Sequence, residues 1–218
     1  MKKKFILFAT CAATLLAASC GSNDYLTDQK RITKGDSSKL DTLSYVIGTN
    51  IGNHVINGIV PQVKADYNTL VGIIENAILD PNEVIEVCGV KICKDSMTVL
   101  GPKYLGQDLN TKIIAAAKDS TGNTSVFADE NEKKLISTLI GANIGYGLSE
   151  YKVPLQTTWI MAGINDVNNG EKKIDDKTAE AFMRNYYTVV IPEQAKKRAQ
   201  EWFAIIEKKR GVQKTESG

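Results

Sequence analysis

A mainly α-helical fold is what this 218-residue sequence predicts: two related helical units, a small β-hairpin insert and a long C-terminal helix. Three observations carry that expectation. Apolar residues recur at helical spacing over most of the chain. A ten-residue segment, 43–52, returns 93 positions later at 136–145. Only one short stretch, 84–93, alternates as paired strands do.

The first residues, MKKKFILFATCAATLLAASC, form an export signal. Lys2, Lys3 and Lys4 give a positive start, Phe5 to Leu16 an apolar stretch, and Ala17, Ala18 and Ser19 a small-residue run before Cys20. The stretch is shorter than the roughly 20 residues of a spanning helix. Small residues ending in cysteine suit lipoprotein processing, with a diacylglyceryl group on the Cys20 thiol, although Leu16 sits one place further from the cysteine than is usual. Cys11 leaves too short an apolar core. The other reading is an ordinary secreted protein. The expected boundaries are a signal peptide at 1–19 and a lipidated, polar tether at 20–40.

Removal of 1–19 leaves 24 basic and 25 acidic residues, a net charge of −1. No basic stripe for nucleic acid remains, and no second run is long enough to span a membrane.

The first helical repeat is expected over 41–82. Leu43, Val46, Ile47, Asn50, Ile51 and Val55 share a stripe, a turn containing Pro61 follows, and a second helix covers about 66–79 with Leu70, Ile73, Ile74, Ala77 and Ile78 inward. An insert at 83–128 opens with the hairpin. Its two-residue turn, Cys88-Gly89, pairs Val87 with Val90 and Glu86 with Lys91. That register does not place Cys88 opposite Cys93, so a disulfide would strain the turn, and free thiols are the favoured expectation. Asp95 or Ser96 starts a further helix, Gly101-Pro102 and Gly106 interrupt the region, 108–118 is helical and 119–125 is a loop.

The second repeat, with its long helix, is expected over 129–210, and 211–218 as a linker. Asp175 caps a helix with Ala179, Phe182, Met183, Tyr186, Tyr187 and Val190 on one face. Pro192 breaks or restarts it. The last helix, 193–210, carries Ala195, Ala199, Trp202, Phe203 and Ile206 on one side, and Gly211 ends it.

Between the two repeats, LSYVIGTNIG and ISTLIGANIG match at Ser44/Ser137, Ile47/Ile140, Gly48/Gly141, Asn50/Asn143, Ile51/Ile144 and Gly52/Gly145. Val60-Pro61 and Val153-Pro154 keep the offset. Gly72-Ile73 matches Gly163-Ile164 after a two-residue slip. Glycine inside a helix costs roughly 1 kcal/mol against alanine. Two on one face of each helix imply that another backbone approaches closely. They lie inside helical patterns rather than strand-to-helix loops, which excludes a phosphate cradle.

The glycine-bearing helix, the capped helix with Tyr186-Tyr187 and the long charged helix ending in GVQKTESG resemble the N-terminal domain of FKBP-type peptidyl-prolyl isomerases of the macrophage-infectivity-potentiator class. The second copy, about 133–218, spans that domain; the first, about 41–80, spans its opening helices. The resemblance implies interlaced helices of two chains, hence a homodimer. It also implies a long helix leading to a C-terminal FKBP barrel that holds the isomerase site, and a role in folding exported proteins. The sequence reaches Gly218 where that barrel would begin, so no catalytic residues are expected in this chain.

The implied function is the dimerisation and substrate-cradling region of an isomerase lipoprotein in the cell envelope. Its partners would be unfolded or proline-containing client proteins and a membrane, outer membrane or periplasmic face, through the lipid anchor. The alternative is a stand-alone, non-enzymatic helical binding or scaffold lipoprotein. Two repeats in one chain also leave an internal pseudo-dimer open in place of a homodimer. The only histidine, His54, falls at a helix end, no Cys/His set has metal-ligand spacing, and no cofactor is expected. Trp202, Phe203 and Ile206 are the expected dimer or domain interface.

Overall fold

The structure is a computed structural model that describes residues 37–209, apart from Asn123 and Lys152. Cys20, the signal peptide, most of the tether, Gly211 and the 211–218 linker lie outside the described residues. The fold is mainly α, with one two-stranded antiparallel hairpin.

Helix α1 spans Ser37–His54 and therefore starts four residues before the expected boundary. Leu40 extends its apolar stripe backwards and is buried with Leu43, Val46, Ile47 and Ile51. Asn50, placed on that stripe by the sequence, is exposed. The expected turn around Pro61 is instead a five-residue π-helical step, Val55–Ile59, running into the short helix α2, Val60–Val63, with Pro61 in its first turn. A proline tolerates that position because its missing N–H is one of the orphan donors of a helix start. Lys64 then ends the element in the left-handed region, φ 61°.

Helix α3, Tyr67–Leu79, is capped by Asp66, whose carboxylate accepts from the Thr69 N–H at 2.7 Å. Strands β1, Ile85–Val87, and β2, Val90–Ile92, pair in the expected register, Glu86 opposite Lys91. Cys88 and Gly89 take φ 50° and 75°, the two positive values of a type I′ turn, and the thiols of Cys88 and Cys93 are free.

Helix α4, Met97–Leu105, continues through Gly101-Pro102, contrary to expectation, and the chain breaks only at Gly106. Helix α5, Gln107–Lys118, buries Leu109 and Ile113. The loop after it is organised by Asp119, whose two oxygens accept from the backbone and hydroxyl groups of Thr121 and Thr124. Those hydroxyls hold the Asp119 carboxyl well below the ordinary range.

Helix α6, Glu130–Ser149, is capped by Asp129, and Glu132 reaches back to the Ala128 N–H at 2.6 Å, a variant of the capping box. Helix α7 spans Thr157–Asn169 and ends in a left-handed Gly170, φ 73°. Helix α8, Asp176–Asn185, passes through a second π step, Tyr186–Val190, into helix α9, Ile191–Ile206. The last helix therefore starts two residues earlier and stops four residues sooner than the sequence suggested.

The helices of the two repeats are exchanged. Helix α1 packs along α7, and α6 packs along α3, so each repeat gives its first helix to the second helix of the other. The main core lies between these pairs and includes Leu43, Ile47, Leu70, Ile74, Ile160, Ile164 and Tyr186. A second cluster joins Leu135, Leu139, Ala142 and Tyr146 of α6 to Ala77, Val87 and Ile92.

Candidate interaction surface

Glycines set the distance between the exchanged helices. A Cβ on Gly48 would stand 2.1 Å from the Ile160 carbonyl oxygen, and one on Gly141 would stand 2.5 Å from that of Leu70. One turn on, a Cβ on Gly52 would meet Val167 at 3.0 Å and one on Gly145 would meet Ala77 at 2.6 Å. All four glycines singled out from the sequence thus face the second helix of the opposite repeat.

The partner positions Leu70/Ile160 and Ala77/Val167 are ninety residues apart, whereas the glycines are 93 apart. The equivalence in the second helices is therefore a three-residue slip, and the two-residue match of Gly72 to Gly163 is not the structural one. Gly163 faces Gly48 and the Tyr45 carbonyl, while Gly72 has nothing within 4 Å.

Hydrogen bonds repeat the same relation. The Asp66 N–H donates to Ser137 Oγ at 2.8 Å, and the Gln156 N–H donates to Ser44 Oγ at 2.9 Å. Each serine is fully buried. Each satisfies the N-cap residue of the helix lying against it, which fixes the register of the pair. A buried serine recurring in both copies of the repeat was the available signal; helical periodicity alone assigns it no role.

The arm formed by α8, the second π step and α9 begins at Asp175, which accepts from the Thr178 N–H at 2.9 Å and hydroxyl at 2.6 Å. These bonds hold the Asp175 carboxyl below its ordinary range. Phe182 stacks on Tyr186 with ring centres 6.0 Å apart, and Tyr186 meets Tyr187 edge-on at 5.7 Å. Tyr187 shares a hydrogen bond with the hydroxyl of Tyr151, just after α6. Burial raises both phenols, so they stay protonated at any physiological pH. These contacts anchor the root of the arm.

Beyond Val190 the burial ends: α9 has no buried residue. Trp202 is 49% exposed, Phe203 53% and Ile205 59%, with Ile206 half-buried. The indole and phenyl rings pack edge to face at 5.1 Å, presenting an apolar, pre-assembled aromatic surface. Exposed apolar patches of this kind mark interaction sites.

Residues 132–218 match the family model of the domain amino terminal to FKBP-type peptidyl-prolyl isomerase. No curated protein and no solved structure matches the chain. The FKBP N-terminal match takes in nearly all of α6, then α7, α8 and α9, and so contains Gly141, Gly145 and the Trp202–Phe203 surface. Helices α1 and α3 lie outside it, yet they supply the faces against which its α7 and α6 pack.

Nothing among the described residues resembles a catalytic centre. A shallow depression of 460 Å³ along α8 is lined by Lys177, Glu180, Arg184 and Thr188, and another of 340 Å³ lies around Lys64, Asp129 and Lys133. Both are open and charged, unlike the enclosed apolar pockets that hold small ligands. No group of acidic, histidine or cysteine side chains among the described residues could hold a metal ion, and no helix there is long and apolar enough to cross a membrane.

Proposed function

We propose that this chain is the client-cradling N-terminal region of an FKBP-type peptidyl-prolyl isomerase lipoprotein, held in the cell envelope by lipid on Cys20. The observation that carries the reading is the exposed Trp202–Phe203 pair on α9, inside the segment that matches the FKBP N-terminal domain. An unfolded chain offers apolar side chains that a folded one hides, and an exposed aromatic pair favours the first over the second. The acidic and basic residues that flank the pair, Glu201, Glu207, Lys208 and Lys209, keep the surface soluble between clients.

In this reading residues 37–209 supply binding rather than chemistry. Rotation about an X–Pro bond has a barrier of roughly 18–20 kcal/mol. Lowering it calls for an enclosed site that strips water from the bond and twists it.

The test is aggregation suppression with the non-lipidated mature chain and a denatured, proline-containing client diluted into buffer. The wild type is expected to delay aggregation, and Trp202→Ala/Phe203→Ala to lose most of that effect. Equal protection by the double variant, or none by the wild type, overturns the reading. A protease-coupled peptide assay run alongside is expected to give the buffer rate of isomerisation. Palmitate labelling that is lost in Cys20→Ala tests the anchor.

A further inference from the structure

The segment that follows the second helix differs between the two repeats, but its place does not. After α7 the chain turns through 171–175, and α8 settles on α1. There Asn53 Nδ2 donates to Asp176 Oδ1 at 3.4 Å, and the Lys173 N–H donates to the Tyr45 hydroxyl at 2.8 Å. After α3 the chain enters the hairpin, and β1 and α4 settle on α6, where Tyr146 joins Val87 and Ile92 in the second cluster. Tyr146 is the repeat equivalent of Asn53, 93 residues on. In each half, therefore, the chain leaving the second helix covers the same stretch of that helix's exchanged partner.

From this we infer that the chain is a closed pair of units with a single arm. The hairpin and α4 occupy on α6 the position that α8 occupies on α1, and the helix exchange is completed within one molecule. A second copy of the chain has no exchange face left to enter. The Gly48 and Gly52 face is filled by α7, the Gly141 and Gly145 face by α3, and the counterpart of the arm's seat by Val87, Ile92 and α4. A second chain would then meet this one by surface contact rather than by helix exchange, with the exposed aromatic pair of α9 as the candidate surface, and each closed pair offers one such aromatic surface rather than two. The inference does not depend on client binding.

Cross-linking where the chain covers each exchanged partner tests it. In the mature chain with Cys20, Cys88 and Cys93 changed to serine, Asn53→Cys and Asp176→Cys place two thiols across the contact of α1 with the start of α8, where the native side-chain atoms are exposed and 3.4 Å apart. Lys94→Cys with Glu150→Cys reads the counterpart contact, between the chain leaving the hairpin and the end of α6, where the native side-chain atoms are exposed and 2.7 Å apart. A short bis-maleimide at low micromolar protein is expected to join the thiols within one chain. The product runs at one-chain mobility and yields the linked peptide of residues 53 and 176 (or 94 and 150). Mixing isotopically heavy and light protein before the reaction is expected to give no mixed linked peptide. Mixed peptides, or failure of both helical, folded variants to cross-link, overturn the inference. Loss of client protection with the intrachain link intact would count against the proposed function alone.

Discussion

The Gly48 Cα hydrogens face the carbonyl oxygen of Ile160 so closely that a methyl group there would stand 2.1 Å from it. This contact decides a prediction in which two opposed effects compete. Alanine gains roughly 1 kcal/mol over glycine from helix propensity. Forcing a methyl into a filled helix contact costs about 1–3 kcal/mol, more where the obstacle is backbone that cannot rotate away. Gly48→Ala and Gly141→Ala are expected to destabilise by about 2 kcal/mol, a fall of roughly 4–8 °C in Tm for a chain of this size. Gly72→Ala, on an open helix surface, is expected to stabilise by about 0.5–1 kcal/mol. Thermal unfolding of the three variants gives the answer. An unchanged Gly48→Ala variant would mean that α1 and α7 are further apart than described.

A second prediction concerns the serines that bridge the repeats. Ser137→Ala leaves the Asp66 N–H without its acceptor, and Ser44→Ala does the same to the Gln156 N–H. A buried donor stripped of its partner costs about 1–3 kcal/mol. Each variant is expected to lower the urea midpoint without changing the m-value. The double variant is expected to show the sum, because the two bonds belong to different helix pairs. Threonine at either position keeps the hydroxyl and is expected to recover part of the loss.

Much of this arrangement is legible in the sequence, and the part that is not has a physical reason. Gly48 and Gly141 announce a close helix neighbour, because repeated glycine inside an apolar helix has no other ready explanation. The Cys88-Gly89 turn fixes the hairpin register. What periodicity cannot show is which helix supplies the neighbour. Leu70 and Ile160 present the same apolar face whether they pack on their own repeat or on the other. The π steps are hidden for a related reason. Val55–Ile59 and Tyr186–Val190 keep an apolar pattern, and the proline two residues later reads as a break although it sits in a first helical turn. Trp202 and Phe203 fall on an apolar stripe, but exposure depends on what packs beside them, which local sequence does not encode.

The pH dependence between 7 and 5 isolates one group, because His54 is the only histidine. Burial at the end of α1 lowers its pKa below the ordinary value, so the folded chain favours the neutral ring. The unfolded chain, with a histidine near 6.5, then binds more protons as the pH drops. Stability is complete above that value and is lost as pH falls toward the folded pKa. The carboxylates of Asp66, Glu132 and Asp175, all held low, lose their contributions only in more acidic solution. Urea midpoints are expected to decline from pH 7 to 5 in the wild type and to stay level in His54→Gln. A decline of equal size in that variant would assign the effect to other groups.

The aromatic surface can be observed directly, because the chain has only two tryptophans. Trp159 is half-buried and meets Tyr45 edge-on at 6.5 Å, whereas Trp202 lies on the exposed side of α9. In a Trp159→Phe variant the indole emission reports Trp202 alone. It is expected to lie far to the red and to be readily quenched by acrylamide. Adding a reduced, unfolded client is expected to shift it to the blue and protect it, while the folded form of the same client leaves it unchanged. Phe203→Ala removes the edge-to-face partner, a contact worth about 0.5–1.5 kcal/mol beyond its buried area. That change is expected to weaken client binding on the order of tenfold, about 1.4 kcal/mol. The melting temperature should stay nearly fixed, because substitutions at exposed positions fall within about 0.5 kcal/mol. A blue-shifted, protected Trp202 before any client is added, together with a light-scattering mass of two chains, would show the surface already covered by a second copy.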